Sequence, residues 1–158
     1  MTHERKHPLD NRVPPPLVVL LVGVAMAGIA WFTPSMEIGK TVQFIGGSIA
    51  IALGVFIVAR GARTFWRHHT TINPVDIEQA SALVTDGIFR YSRNPMYVGF
   101  TVMLIGWAVC LAAPWTWFGP LSFVLFTNRF QIIPEEQVIH AKFGQAYDNY
   151  RSKVRRWV

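Results

Sequence analysis

The sequence predicts an all-α integral membrane protein with about four transmembrane helices, a cytoplasmic loop and a C-terminal helical segment, forming one domain over residues 1–158. Three observations lead to this fold class. The chain has 158 residues, of which 51% are hydrophobic and 15% charged, so it is too short for several domains and too apolar for ordinary solubility. Its uncharged residues form runs of membrane-spanning length. Its basic residues lie between those runs.

The uncharged runs predict the helices in order. The first two, 13–36 and 41–59, are each about one bilayer span long. The third run contains Ala112-Ala113-Pro114-Trp115, a turn signal, because proline lacks the helical N–H and disfavours the helical conformation of the residue before it. This run therefore divides into two helices. The predicted spans are about 14–33, 41–60, 96–113 and 115–133.

The length of the third run draws attention to Arg129. The 35 residues of 94–128 reach roughly 52 Å as helix, short of the roughly 60 Å that two crossings require. The fourth helix must then carry Asn128 and Arg129 into or near the membrane. An arginine in that place is a functional candidate, and a side chain that snorkels to the interface is the alternative.

The basic residues predict the topology. Lys40 alone among the 15 lysines and arginines lies in the loops opposite the others. The positive-inside rule then places both termini, the 60–95 loop and the segment 134–158 in the cytoplasm. A signal peptide is the competing interpretation of the first span. It is disfavoured because no small-residue cleavage site precedes a soluble domain.

Composition also limits the function classes. The net charge of +6 could suggest nucleic acid, but the arginines lie between apolar runs instead of alternating with aromatic residues, so no nucleic-acid partner is expected. The single Cys110 excludes an intrachain disulfide framework and a cysteine-based zinc cluster, and no metal site is expected. Within the cytoplasmic loop, residues 75–84 predict a short amphipathic helix.

The first cluster of candidate residues opens the third helix. Asn94 is a good N-cap and Pro95 a good first helical residue, which already gives these two a structural explanation. That explanation accounts less well for Arg93, Tyr97 and Gly99 at the same helix start. Free N–H groups there could bind an anion, and a glycine permits a ligand to approach closely.

The second cluster is the pair Glu135-Glu136, which follows an apolar helix. Adjacent carboxylates are costly there unless they face water, a cation or a partner charge. The alternative is that Pro134 begins a surface helix whose dipole favours acidic residues in its first turn. Further along, three aromatic residues recur at helical spacing and predict a stripe that packs the tail against the membrane domain: Phe143, Tyr147 and Tyr150.

Together these clusters resemble the signature of the isoprenylcysteine carboxyl methyltransferase and phospholipid methyltransferase superfamily. The resemblance rests on Arg93-Asn94-Pro95-Met96-Tyr97-Val98-Gly99, on Glu135-Glu136, and on the spacing of the aromatic stripe after Phe143-Gly144. It covers about half of the chain. The family pattern often has histidine where Asn94 stands, so only a backbone or amide role carries over to this position.

The resemblance implies an integral membrane enzyme that uses S-adenosylmethionine in a cytoplasm-facing pocket. Glu135 or Glu136 would pair with the ammonium of the cofactor, Arg93 or the helix start at Asn94 and Pro95 with its carboxylate, and Tyr97 with its ring or ribose. Gly99 would leave room for it. Arg129 would orient an acceptor carboxylate, because a guanidinium matches a carboxylate bidentately.

The expected acceptor is a lipophilic compound that enters from the bilayer, and the carboxylate of an isoprenylcysteine-like molecule is the first choice. A phospholipid amine or a hydrophobic thiol is the alternative acceptor. A different class also stays open, namely a non-enzymatic scaffold whose arginines bind anionic lipid. The sequence does not determine the oligomeric state.

Overall fold

A computed structural model describes residues 13–67 and 82–158, and within these ranges the regular structure is entirely helical. Six α-helices follow one another: α1 Pro15–Phe32, α2 Gly47–Arg67, α3 Pro95–Leu111, α4 Phe118–Thr127, α5 Ile133–Phe143 and α6 Gln145–Arg151. Two π-helical turns, Val42–Gly46 and Asn128–Ile132, adjoin α2 and α4, and two short 3-10 helices precede α3 and α4.

Two helices are long and apolar enough to cross a membrane by length and composition: Pro15–Phe32 and Val42–Arg67. Both match predicted spans, but the second continues to Arg67 instead of ending near residue 60. An arginine is tolerated at the end of this apolar helix because its long stem can lie along apolar surface while its charge reaches water. Pro95–Leu111 is a shorter apolar helix. The predicted helix at 75–84 lies mainly outside the described residues, and residues 82–84 are not helical.

The chain from Phe118 to Phe143 is one continuous run of helix, which argues against the alternative that Pro134 begins a new one. Asn128 and Ile132, the two ends of the π-helical turn between α4 and α5, both have right-handed helical backbone angles. The π-helical turn ends two residues before Pro134 and changes the hydrogen-bond register there. The helix can therefore continue although proline has no N–H to donate. The fourth predicted span therefore leads straight into the segment that carries Glu135 and Glu136.

Helices α2 and α3 form the most extensive interface of the described chain. Glycines on both helices allow the two backbones to come close, as is common between membrane helices. A Cβ added to Gly99 would come within 2.7 Å of the Gly54 carbonyl oxygen, and one added to Gly106 within 2.7 Å of the Gly47 carbonyl oxygen. A hydrogen bond from Trp107 Nε1 to the Gly23 carbonyl links α3 to α1 at 3.0 Å.

After α6 the C-terminal tail runs back across the entry of α3. The Arg93 amide donates to the Arg155 carbonyl at 2.9 Å, and the Asn94 side-chain amide donates to the Arg156 carbonyl at 3.0 Å. Trp157 packs against the hydrophobic core that the helices share. The fold thus brings the two sequence clusters, the start of α3 and the segment from α5 to the C-terminus, to the same end of the bundle.

Candidate active site

A cavity of about 460 Å³ lies at the end of the bundle where α3 begins. This volume falls within the range of small-molecule sites. Its apolar walls come from the residues before and at the start of α1, from α2, α3 and α5, and from residues 82–84 and Phe89. Its polar groups come from the two sequence clusters: Arg93, Asn94, Tyr97, Glu135, Glu136, Tyr147 and Tyr150. Six of the eight residues predicted for the site line the cavity, since Pro95 does so as well.

Glu135 is the carboxylate of the cavity that no described cation neutralises. Its Oε1 accepts a hydrogen bond of 2.6 Å from the Tyr97 hydroxyl, and no arginine or lysine of the described ranges forms an ion pair with it. Burial raises the pKa of Glu135 to about 7, the hydrogen bond from Tyr97 opposes this rise, and the charge of Glu136 adds to it. A bound cation would relieve the cost of this buried negative charge.

Glu136, by contrast, is already paired twice. Its Oε1 lies 2.8 Å from Arg93 Nη2, and its Oε2 lies 2.6 Å from Arg156 Nη2. The side chains of Glu136 and Arg93 are 13% and 9% exposed, so this is a largely buried network. The two glutamates point to different neighbours, as expected for adjacent residues about 100 degrees apart around a helix. Glu136 therefore serves as a structural partner of two arginines.

Arg93 also carries a buried donor without a partner. Its Nη1 donates to the Arg151 carbonyl at 3.4 Å and its Nη2 pairs with Glu136, but its Nε is buried and has no hydrogen-bond partner among residues 13–67 and 82–158. An unpaired buried donor costs free energy, so such a group in a cavity wall fits the recognition of an acceptor atom on a ligand.

The position of the two glutamates in the chain argues against the helix-dipole explanation for them. Glu135 and Glu136 lie in the first turn of α5, yet the residue before α5, Ile132, is itself helical. The first N–H groups of α5 thus follow an unbroken helix, and the partial positive charge of a free helix start is largely lacking. The dipole cannot account for two acidic residues here.

Asn94 does not act as the predicted side-chain cap. It precedes α3, which begins at Pro95 as expected, but it makes no side-chain capping hydrogen bond. Its amide binds the tail at the Arg156 carbonyl instead, and its own backbone N–H donates to Ser92 Oγ at 3.0 Å. The polar groups of Asn94 therefore hold the tail over the helix start.

Gly99 and Arg129 lie outside the cavity, contrary to their predicted roles. Gly99 faces α2, where an added Cβ would meet Gly54 and Val58, so its lack of a side chain serves helix packing and not cofactor access. Arg129 is exposed, with its guanidinium 5.3 Å from the Phe130 ring centroid. The π-helical turn buries Gln131 instead, so Arg129 turns to the opposite face.

The aromatic stripe does pack the tail as predicted, and all three of its members line the cavity. Tyr150 donates to the Phe89 carbonyl at 2.7 Å, and Tyr147 is almost fully buried. Burial raises the pKa of Tyr147 to about 12, with the charge of Glu136 contributing, so its hydroxyl stays protonated at neutral pH. Burial likewise raises the pKa of Tyr150. The Tyr147 hydroxyl is buried without a partner among the described residues and is available as a donor, whereas the hydrogen of the Tyr150 hydroxyl is already used on Phe89.

Sequence reasoning missed Arg156 as an individual residue. It belongs to a terminal basic run that is typical of a contact with anionic lipid, and nothing in that run distinguishes it. Its partners, Glu136 and Asn128, lie 20 and 28 residues earlier. Only the tertiary fold brings these three side chains together.

Comparisons with known proteins agree with the two-cluster pattern. Residues 42–146 match a family model described as phospholipid methyltransferase. A probable protein-S-isoprenylcysteine O-methyltransferase of Oryza sativa subsp. indica is 30% identical over 111 residues, which cover 68% of this chain and 56% of that protein. The protein-S-isoprenylcysteine O-methyltransferase of Schizosaccharomyces pombe is 39% identical over 75 residues, which cover 46% of this chain and 30% of that protein.

The protein-S-isoprenylcysteine O-methyltransferase of Dictyostelium discoideum is 29% identical over 150 residues, which cover 92% of this chain and 61% of that protein. The chain thus spans less than two thirds of the length of each of these three relatives. No solved structure matches the chain.

Proposed function

The chain belongs to the phospholipid methyltransferase family, and from this premise we propose that it transfers a methyl group from S-adenosylmethionine to a lipophilic acceptor at the cytoplasmic face of a membrane. The observation that carries the proposal is the cavity in which Glu135 and Arg93 lie among apolar and aromatic walls. A carboxylate and a guanidinium in one pocket match the ammonium and the carboxylate of an amino acid.

The residues present fit the methionine part of S-adenosylmethionine. Glu135 would accept hydrogen bonds from the ammonium, since no described cation competes for it. Arg93 would donate from its unpartnered Nε to the carboxylate. Tyr147 would offer a neutral hydroxyl and an aromatic ring beside them. When bound, the cofactor supplies an electrophilic methyl group on a sulfonium centre.

The chain itself would contribute positioning and exclusion of water. Apolar side chains from α1 and α2 also line the cavity, among them Pro15, Val58 and Phe65. A lipid-borne group held there would be aligned with the donor methyl for attack. Positioning of this kind accounts for much of the rate enhancement of a two-substrate reaction. A carboxylate acceptor is already ionised at neutral pH and needs no base.

The acceptor proposed first is the carboxylate of an isoprenylcysteine-like molecule. The names of the relatives from rice, Schizosaccharomyces pombe and Dictyostelium support this choice, and the apolar cavity wall suits a prenyl chain. Arg129 has no part in this proposal because it does not line the cavity. Arg129→Met should accordingly leave methyl transfer and cofactor affinity within about twofold of the parent.

A phospholipid amine or a hydrophobic thiol is the second candidate, and the description of the matching family model, phospholipid methyltransferase, favours the amine. The described residues that line the cavity include two carboxylates, Glu135 and Glu136, but only one arginine, Arg93. Arg156 pairs with Glu136 from outside the lining, however, so the two carboxylates and the two arginines balance in charge when Glu135 is ionised. An amine would have to lose a proton before it attacks, and because Glu135 is assigned to the ammonium of the cofactor, this candidate needs another proton acceptor.

We place the cavity on the cytoplasmic side of a four-span topology with both termini cytoplasmic. This arrangement is supported by the distribution of basic residues and by the two long apolar helices. Isothermal calorimetry with S-adenosylhomocysteine separates the proposed enzyme from a lipid-binding scaffold. Saturable one-to-one binding is expected. A protein that binds anionic vesicles but not S-adenosylhomocysteine would be a scaffold.

A further inference from the structure

Arg156 is held at both its side chain and its backbone. Its Nη2 and Nε donate to the two oxygens of Glu136 at 2.6 and 3.2 Å, and its Nη1 donates to Asn128 Oδ1 at 3.1 Å. Its carbonyl oxygen accepts from Asn94 Nδ2 at 3.0 Å and from Ser92 Oγ at 3.3 Å. One residue of the tail thus connects the π-helical turn, the start of α5 and the entry of α3.

The contacts of Arg156 differ from those expected of an arginine that binds lipid. The side chain of Arg156 is only 31% exposed, and all three of its guanidinium nitrogens donate to protein atoms. The neighbouring Arg155 is exposed, and the tail interaction that involves it uses its backbone carbonyl. The two arginines therefore form a natural pair for comparison, one built into the fold and one at the surface.

Arg156 reaches the cavity only through another residue. It does not line the cavity, whereas Glu136 and Arg93 do. Glu136 Oε1 lies between the two arginines, 2.8 Å from Arg93 Nη2 and 3.2 Å from Arg156 Nε. Two guanidinium groups on one carboxylate fix its rotamer, and Glu136 Oε1 together with the Arg151 carbonyl then holds Arg93 at both of its terminal nitrogens.

We propose that Arg156 is a positioning residue that fastens the C-terminal tail across the start of α3 and, through Glu136, orients Arg93 for the carboxylate of the cofactor. This inference rests on the proposed function. It assigns to the tail a part in forming the cofactor pocket before the ligand arrives. Preorganisation of this kind raises affinity because less freedom is lost on binding.

The geometry also explains why arginine is required. The guanidinium places a two-pronged fork on Glu136 and a third donor on Asn128 at the same time. A lysine ammonium keeps the charge but lacks this planar set of donors. Arg156→Lys should therefore hold Glu136 less firmly and restore only part of the function that Arg156→Gln loses.

The test compares Arg156→Gln and Arg156→Lys with Arg155→Gln in the full chain, purified in detergent. S-adenosylhomocysteine affinity is measured by calorimetry, and folding by thermal unfolding of each sample. Arg156→Gln should bind at least tenfold more weakly and Arg156→Lys at an intermediate level, while Arg155→Gln stays within twofold of the parent. In turnover assays the loss should appear as a higher KM for S-adenosylmethionine, with kcat and the acceptor KM within twofold of the parent.

A double-mutant cycle shows whether the effect passes through Glu136. Glu136→Gln combined with Arg156→Gln should weaken binding no more than the worse single variant, because both break one unit. Additive losses would overturn the proposal, as would equal effects of the Arg155 and Arg156 variants. If Arg156→Gln does not fold, Arg156→Lys decides by the same criteria. Failure of the parent to bind would instead refute the proposed function itself.

Discussion

Replacing Glu135 with glutamine should weaken cofactor binding strongly while leaving the fold intact. The substitution removes the charge but keeps the shape, and the amide oxygen can still accept the hydrogen bond that Tyr97 donates at 2.6 Å. A charge-assisted contact with an ammonium contributes about 1.5 to 3 kcal/mol. The affinity for S-adenosylhomocysteine should therefore fall roughly ten- to hundredfold.

The stability of the same variant, unlike its cofactor affinity, should not fall. Burial raises the pKa of Glu135 from 4.5 to about 7 in the folded chain, so its ionised form is disfavoured by folding. The stabilisation from this group is fully present below pH 4.5 and is lost as pH rises through 7. A shift of this size corresponds to at most about 3 kcal/mol. At pH 8 the free energy of unfolding of the glutamine variant should equal that of the parent or exceed it.

Glu136→Gln provides the matched control for stability because it makes the same chemical change one residue along. It leaves Arg93 and Arg156 without their shared carboxylate, so the free energy of unfolding should fall by about 3 kcal/mol. Calorimetry with S-adenosylhomocysteine and denaturant titration at pH 8 measure both quantities. Unchanged binding in Glu135→Gln, or a loss of stability equal to that of Glu136→Gln, would refute the reasoning.

Three further predictions concern pH, packing and topology. The affinity of the parent for S-adenosylhomocysteine should rise between pH 6 and 8 as Glu135 ionises, since its raised pKa lies near 7, and Glu135→Gln should show no such rise in calorimetry. Gly99→Ala should lower the free energy of unfolding by about 1 to 3 kcal/mol, because its Cβ would meet the backbone of α2, while the folded fraction keeps the parent affinity. With Cys110 replaced by alanine, single cysteines at Ser35 and Ser152 should react with impermeant maleimide from opposite sides of the membrane, and labelling from the same side would contradict the topology.

Residues with a local signal were predicted well from the sequence. Pro95 begins α3 as its position after Asn94 suggested, and α1 matches the first uncharged run. Periodicity placed the aromatic stripe, and Tyr147 is buried as that pattern requires. These features depend on helix geometry and hydrophobicity over a few turns, which a sequence displays directly.

Features that depend on tertiary neighbours could not be predicted in the same way. The helix continues through Pro134 because a π-helical turn precedes it, and no local sequence pattern predicts such a turn. The sequence pattern favoured ligand access at Gly99, and only the position of α2 against it shows that this glycine serves helix packing. The separate tasks of Glu135 and Glu136 follow from the direction each takes around α5 and from the arrival of Arg156 along the tail.

Methyl transfer itself is the most direct test of the account. The purified chain is incubated with methyl-labelled S-adenosylmethionine and, separately, a farnesylcysteine analogue, a phospholipid amine and a hydrophobic thiol, and label in the extracted acceptor is counted. Label should appear in at least one lipophilic acceptor, the farnesylcysteine analogue first. S-adenosylhomocysteine should inhibit the transfer, and Glu135→Gln should lose at least tenfold at a fixed, subsaturating cofactor concentration. No label in any of the three, from a chain that also fails to bind S-adenosylhomocysteine, would contradict the account.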